Sequence, residues 1–171
     1  MRERTRSTYL VADFFTHSYR VSGTVDVRRR RLADQLEDRT TSFLELEDAY
    51  VSSLHRPADI LASHTRSILR KESIVATVVA REEDGLSSQH SYGSYLGGHL
   101  QKAVLIVPTF EIRGYLRLPG KRDLRSVMTE GQLFVPMTEA RMSLCWRPDI
   151  EFTGGVILIN RADVEAIWEE S

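Results

Sequence analysis

Along this chain the hydrophobic positions alternate with polar ones over short stretches and only briefly recur every three or four residues. Val21, Gly23, Val25 and Val27 share one face of an extended segment, and Ile112, Gly114, Leu116 and Leu118 repeat the arrangement further on. A period of two over this length predicts strands, and a glycine inside each marks a bend, a bulge or a close backbone approach. Apolar segments at 9–15 and 103–107 precede them and predict strand pairs turning near His17/Ser18 and near Pro108/Thr109. Short helical turns follow. Leu32 and Leu36 lie four apart, and Leu124 and Val127 three apart, so each pair falls on one face of a helix too short to stand alone. Further strands are predicted at 43–46, 49–54, 67–69 and 74–79, and again at 133–137, 140–146, 156–159 and 164–168. The last segment, after Asn160 as a cap, also fits a helix. Its counterpart, with Ile74, Val75, Thr77, Val78 and Val79, is β-branched and decides for a strand. Arg56/Pro57 and Arg147/Pro148 are expected to end strands, because proline donates no hydrogen bond to a ladder.

These paired patterns are one pattern written twice. Shifted by 91 positions, residues 20–57 match residues 111–148: Gly23 falls on Gly114, Arg31 on Arg122, Phe43 on Phe134, Ala49 on Ala140, Ser52 on Ser143, Arg56 on Arg147 and Pro57 on Pro148. One residue shorter, at a shift of 90, Leu69/Ile159, Lys71/Arg161, Ile74/Val164 and Ala76/Ala166 continue the register. The chain therefore divides into a first repeat at 8–81, a connector at 82–99 and a second repeat at 100–171. The connector holds Gly85, Gly93, Gly97 and Gly98 among serines and reads as flexible, with Tyr92 and Tyr95 leaving open a functional loop. Units of about 70 residues bury a modest fraction of their surface and are expected to share a core or an interface.

Composition narrows the setting more than the chemistry. The apolar share of 42% is that of a globular protein, and no apolar run approaches the roughly 20 residues that cross a bilayer. The start lacks the pattern of a secretion signal, since Asp13 interrupts the apolar stretch 9–15. A cytoplasmic protein without membrane contact is expected. The single cysteine, Cys145, excludes an internal disulfide and a thiolate metal set, and is expected to be a buried structural thiol. Charge is nearly balanced overall but polar along the chain. Residues 1–31 carry eight arginines against three carboxylates, and residues 131–171 carry three arginines against seven carboxylates. Opposite poles favour head-to-tail contact between repeats or between copies.

Several short strands with one small helix in about 70 residues is the plan of a small barrel. Gly23, Thr24 and Val25, followed by the stretch from Phe43 to Ala49, resemble the first Sm motif; the stretch from Ile157 to Arg161, with Val164 and Ile167, resembles the second. The whole unit also resembles an uncharacterised bacterial domain of unknown function. The resemblance implies a mainly β, β-rich α+β fold: two tandem small Sm-like or SH3-like β-barrels, each with a short helix, or one fused β-structure. It implies less about ligands. Sm proteins shape a base pocket with an asparagine in the first motif and an arginine-glycine pair in the second. Here Ser42 and Phe43 occupy the first neighbourhood, and Ala162 follows Arg161, leaving only Arg161 and, by repeat position, Lys71 to carry over.

Candidate chemistry is sparse. The run Arg28, Arg29, Arg30 and Arg31 could neutralise phosphates, but Pro119 and Gly120 stand opposite its first two members in the second repeat. Arg2 and Arg6 have a spacing used by PilZ-type barrels, without the second motif that family needs. The five histidines show no metal-ligand spacing, and His55, aligned with Trp146, reads as a packing position. Arg56 and Arg147 recur in both copies, either as structural stops bonded to a carbonyl or carboxylate or as a shared binding surface. No catalytic, cofactor or metal set is expected. The sequence supports a non-enzymatic interaction or assembly module, binding a protein partner or itself and able to form a homo-oligomer by edge-strand pairing. The alternative is RNA binding through Arg28–Arg31.

Overall fold

The alternating stretches become strands, five over residues 9–79 and six over residues 99–169, the single strand Ile60–Arg70 of the first stretch corresponding to two strands, Arg147–Thr153 and Val156–Asn160, in the second. The computed structural model describes residues 8–28, 30–86, 99–118, 120–129 and 131–171. The first repeat forms β1 (Tyr9–Phe15), β2 (Tyr19–Asp26), α1 (Leu32–Glu37), β3 (Phe43–Ser53), β4 (Ile60–Arg70), a 3-10 turn (Lys71–Ser73) and β5 (Ala76–Val79). A short α2 (Glu82–Gly85) opens the connector. The second repeat forms β6 (His99–Val107), β7 (Phe110–Leu118), α3 (Leu124–Thr129), β8 (Phe134–Leu144), β9 (Arg147–Thr153), β10 (Val156–Asn160), a 3-10 turn (Arg161–Asp163) and β11 (Ala166–Glu169). Of the connector, residues 87–98, including Tyr92 and Tyr95, lie outside the described residues, as do Arg2 and Arg6.

Two tandem closed barrels do not form. All the strands join one open antiparallel sheet in the order β11-β6-β7-β8-β10-β5-β1-β2-β3-β4, with β9 pairing on β8. The reason lies in β5. It pairs with β1 on one side, and on the other side with β10 of the second repeat instead of closing onto its own β4. The two repeats are thereby one sheet whose path ends at β4 and β11, with β9 as a side branch on β8.

The split expected at Glu47/Asp48 and at Thr138/Glu139 is a bulge within a longer strand. Ser22 faces Tyr50 while Thr24 faces Glu47, so β3 carries an extra residue there. The second copy matches, with Arg113 facing Arg141 and Tyr115 facing Thr138. Asp48 and Glu139 both take the left-handed backbone, at φ 49. A bulge sharpens bend and twist, and the strand glycines stand opposite it. A Cβ on Gly114 would lie 2.9 Å from both the Cα and the Cβ of Ala140; one on Gly23 would meet the Leu46 Cβ at 3.2 Å and the Ala49 Cβ at 3.5 Å.

The helices are as short as the spacing suggests, and Leu32, Ala33 and Leu36 of α1 are buried. Val127 is the buried residue of α3. Two stretches are strands that period two did not reveal, the first half of β4 and all of β9. Pro148 therefore does not end a strand. It is the second residue of β9, a strand paired on one side only, where proline is tolerated. The C-terminal segment is a strand, and Asn160 caps only the 3-10 turn, its Oδ1 accepting from Ala162 N at 3.1 Å.

Burial divides the interior into two cores, and each takes residues from both repeats. Ala76, Val78, Ile157 and Ile159 face the core built mainly by β6–β8; Val79, Val156 and Leu158 face the core built mainly by β1–β3 and α1. Strands β5 and β10 are buried on both faces. Each fully buried Val, Leu or Ile there is worth about 1.5–3 kcal/mol. Among the described residues no helix is long and apolar enough to cross a membrane.

Because the obstruction at Gly114 is backbone and that at Gly23 is side chain, Gly114→Ala is expected to cost about 1–3 kcal/mol and Gly23→Ala distinctly less. Urea-denaturation midpoints of the two variants check this.

Candidate assembly interface

The seam between the repeats is a short antiparallel ladder between two fully buried strands. Val156 pairs with Val79, Ile157 with Val78, Leu158 with Thr77 and Ile159 with Ala76. The ladder runs on at both ends. Asn160 N donates to Val75 O at 2.9 Å, and Gly155 N donates to Ala80 O at 3.0 Å. The Asn160 side chain adds a bond to Ile74 O at 2.9 Å, with its amide buried. Gly154 and Gly155 permit the approach: a Cβ on Gly154 would stand 2.6 Å from Val79 O, and one on Gly155 2.5 Å from Glu82 N. Glu37, at the end of α1, clamps the second repeat from outside the sheet. Its two carboxylate oxygens accept from Leu133 N and Phe134 N at 2.9 Å each. An ion pair between Arg117 and Glu82 adds a further link.

The turns at one end of the sheet also meet. His55 stacks on Trp146 with ring centroids 5.2 Å apart, so the two aligned positions pack on each other while both remain exposed. Thr109 Oγ1 donates to His17 O at 3.0 Å. Arg20 of β2 bonds Asp13 Oδ2 at 3.0 Å and Pro57 O at 3.4 Å, and lies over the Phe152 ring at 5.2 Å.

Each half of the seam has a counterpart that is uncovered. Residues 66–69 of β4 correspond to 156–159 of β10, and β11 corresponds to β5. Leu158 is fully buried, whereas Ile68 is 72% exposed; Phe134 is 4% exposed and Phe43 is 42%. Ile60 and Leu61 of β4 and Trp168 of β11 are likewise exposed. The end strands β4 and β11 each have one neighbour in the sheet, so among the described residues their outer backbone edges have no strand partner.

The arginines singled out by the sequence do not converge. Arg28 is exposed in the turn after β2, and Arg29 lies outside the described residues. Arg30 approaches Asp38 at 3.6 Å, and the Arg31 N–H donates to Asp34 at 3.3 Å, where it caps α1. Arg28 and Arg30, with Arg66, line a groove of about 840 Å³, but Asp26, Asp38, Glu45 and Glu47 line it too, beside Phe43 and Ile68. The groove is thus of mixed charge and lies among the end of β2, α1, the start of β3 and residues 66–68 of β4.

Arg147 makes a two-point exposed pair with Asp149, at 3.0 and 2.9 Å, while Arg56 is exposed and bonds through its backbone to Ser53 and Asp59. The His55–Trp146 stack brings the turns carrying these arginines side by side. Arg161 is half-buried and its N–H donates to Leu133 O at 2.9 Å; Lys71 makes the matching bond to Ser42 O. The Lys71 ammonium is turned inward, donating to Asp38 O at 2.8 Å and Thr41 Oγ1 at 2.9 Å. Cys145 is exposed, not buried, because it sits in the β8–β9 turn. Partial desolvation, then the carboxylates of Glu111 and Glu165, push its thiol pKa up and favour the unreactive thiol. Among the described residues no three of His, Cys, Asp and Glu are placed to hold a metal. The sequence did not single out Glu37 or the β4 edge, and it marked Asn160 only as a cap and as part of the Sm-like stretch. The pair Gly154/Gly155, without equivalent in the first repeat, was the available signal for a close approach.

Removing the clamp with Glu37→Ala leaves two backbone donors without their carboxylate and is expected to cost about 1.5–3 kcal/mol, with Glu37→Gln retaining part of it; chemical denaturation reads both. Lys71 gives a pH signature. Burial holds its pKa below the ordinary lysine value, opposed by Asp38 and Glu37 and assisted by Arg30. The folded chain therefore releases this proton before the unfolded chain does. Stability should rise with pH across the window from the depressed value up to about 10.4. Lys71→Met should flatten that rise in melting curves recorded between neutral and alkaline pH.

No family model matches the chain, and no curated protein or solved structure shows significant similarity to it.

Proposed function

We propose that the chain is a non-enzymatic assembly module that joins partners through the open ends of its sheet. One observation carries this reading: β4 offers a long unpaired edge with Ile60, Leu61 and Ile68 each more than 60% exposed. An edge of this kind is a template for another strand unless charge, proline or a cover blocks it. Strand addition of this sort recruits peptides and folded partners through backbone hydrogen bonds, with side-chain pockets setting the choice. The adjoining groove, with Phe43 as an apolar wall and both signs of charge on its rim, suits a protein surface better than a polyphosphate backbone. On this reading the repeats are opened-out relatives of small Sm-like or SH3-like units, an ancestry supported by the glycine-and-bulge pair kept in both copies. RNA binding through Arg28–Arg31 is the competing outcome.

Affinity capture from lysates of the native host, with and without nuclease, tests the proposal alongside light scattering of the purified chain. Association that survives nuclease and is lost in Ile68→Lys, at an unchanged melting temperature, is expected. Association that vanishes with nuclease and falls steeply with salt would replace this reading with nucleic-acid binding, and no association in either assay would remove it.

A further inference from the structure

We infer that the partner of the β4 edge is β11 of a second copy of the same chain, added in the register that already joins the two repeats. This rests on the assembly reading above and gives it a partner. The internal seam is a template, because both of its halves are present again at the ends of the sheet. β10 lies on β8 with Ile159 opposite Val135 and Val156 opposite Thr138; β4 lies on β3 with Leu69 opposite Leu44 and Arg66 opposite Glu47, the same alignment. β5 lies on β1 with Ala76 opposite Phe15, and β11 lies on β6 with Ala166 opposite Ile106. The turns leading into the strands match as well: Val75 N donates to Phe15 O, and Glu165 N donates to Ile106 O, both at 2.8 Å. Each end strand is therefore held by its inner neighbour as its buried counterpart is held.

Carrying the seam's register outward places Leu69 opposite Ala166, Ile68 opposite Ile167, Ser67 opposite Trp168 and Arg66 opposite Glu169. The next position, equivalent to Asn160 on Val75, sets Arg70 against Glu165. Charges are complementary at both ends of this short ladder and apolar side chains meet between them. Ile68, the most exposed large apolar side chain among the described residues at 72%, and Trp168, exposed at 45%, both fall within the ladder the second copy forms. Phe43 is placed to be covered as Phe134 is covered. The contact is heterologous: one copy gives β4 and the other β11, leaving one free edge of each kind on the pair. Addition therefore continues until a ring closes or a filament grows. The poles seen in the sequence, basic toward the start and acidic toward the end, point the same way.

Light scattering of the full chain over a range of concentrations should show a mass above that of the monomer. Ile68→Lys should shift the association midpoint by at least about tenfold, since it puts a charge on the shared edge. Arg66→Glu and Glu169→Arg should each weaken association, and the double variant should recover it, because the swap restores opposite charges in this register. In a Cys145→Ser background, Ile68→Cys combined with Ile167→Cys should oxidise to a ladder of linked copies, while His64→Cys with Ile167→Cys, out of register, should not. Circular dichroism melts confirm that each variant is folded. A strict monomer at high concentration overturns the inference, and so does an oligomer indifferent to all these substitutions. If the purified chain is monomeric yet a different protein is captured through the β4 edge, self-assembly falls while the assembly-module reading stands. If neither association occurs, both fall.

Discussion

The pairing of β5 with β10 puts two short strands in the middle of the sheet with protein on both faces. A strand so placed is apolar at nearly every position, as Val156–Ile159, Ala76, Val78 and Val79 are, with buried Thr77 and Asn160 the exceptions. Side chains on successive residues point to opposite faces, so each strand feeds both cores in alternation. Neither core is complete with the residues of its own repeat. The clamp from Glu37, the buried Asn160 side chain and the glycine pair before β10 are consequences of the same requirement. Each satisfies backbone groups or removes a Cβ where the two repeats come into contact.

Around that seam the two copies preserve geometry more faithfully than residues. The bulges at Asp48 and Glu139, the 3-10 turns at Lys71 and Arg161, and the bonds from those residues to Ser42 and Leu133 coincide. What changes is chemistry at the surface each copy shows. The first repeat has His64 and Thr65 where the second has Gly154 and Gly155, and β4 runs unbroken where β9 and β10 are separate strands. The copy that receives β5 has lost side chains to let it in; the copy at the end of the sheet has kept them.

Much of the architecture was legible. Alternation placed most strands and the repeat decided the C-terminal segment; the glycines at 23 and 114 stood for a bend, a bulge or a close approach, and the structure has close approaches there opposite bulges in β3 and β8. Chain closure was not legible, because period two says which face of β5 is buried and nothing about which strand lies along its edge. The first half of β4 was missed because its side chains are exposed on both faces, and β9 because Pro148, expected to end a strand, stands ahead of its alternating Ile150 and Phe152. Cys145 misled for a related reason: flanking Leu144 and Trp146 look like core, but the turn there directs successive residues away from the pleat. The interface was least visible, because its signal is a difference in burial between equivalent residues, Leu158 against Ile68 and Phe134 against Phe43.

The seam also has an order in time. Val79 leaves the ribosome long before Ile159, with roughly 80 residues between them, which is several seconds of synthesis at about 5–20 residues per second. Throughout that interval the first repeat has its own hairpins and β1 beside β5, but lacks β10, so the other side of Val78 and Val79 stays open. A nascent chain held in that state carries the β5 edge open in addition to the β4 edge. The distance along the sequence between the halves of the seam therefore sets how long the unfinished protein is exposed to the wrong partner.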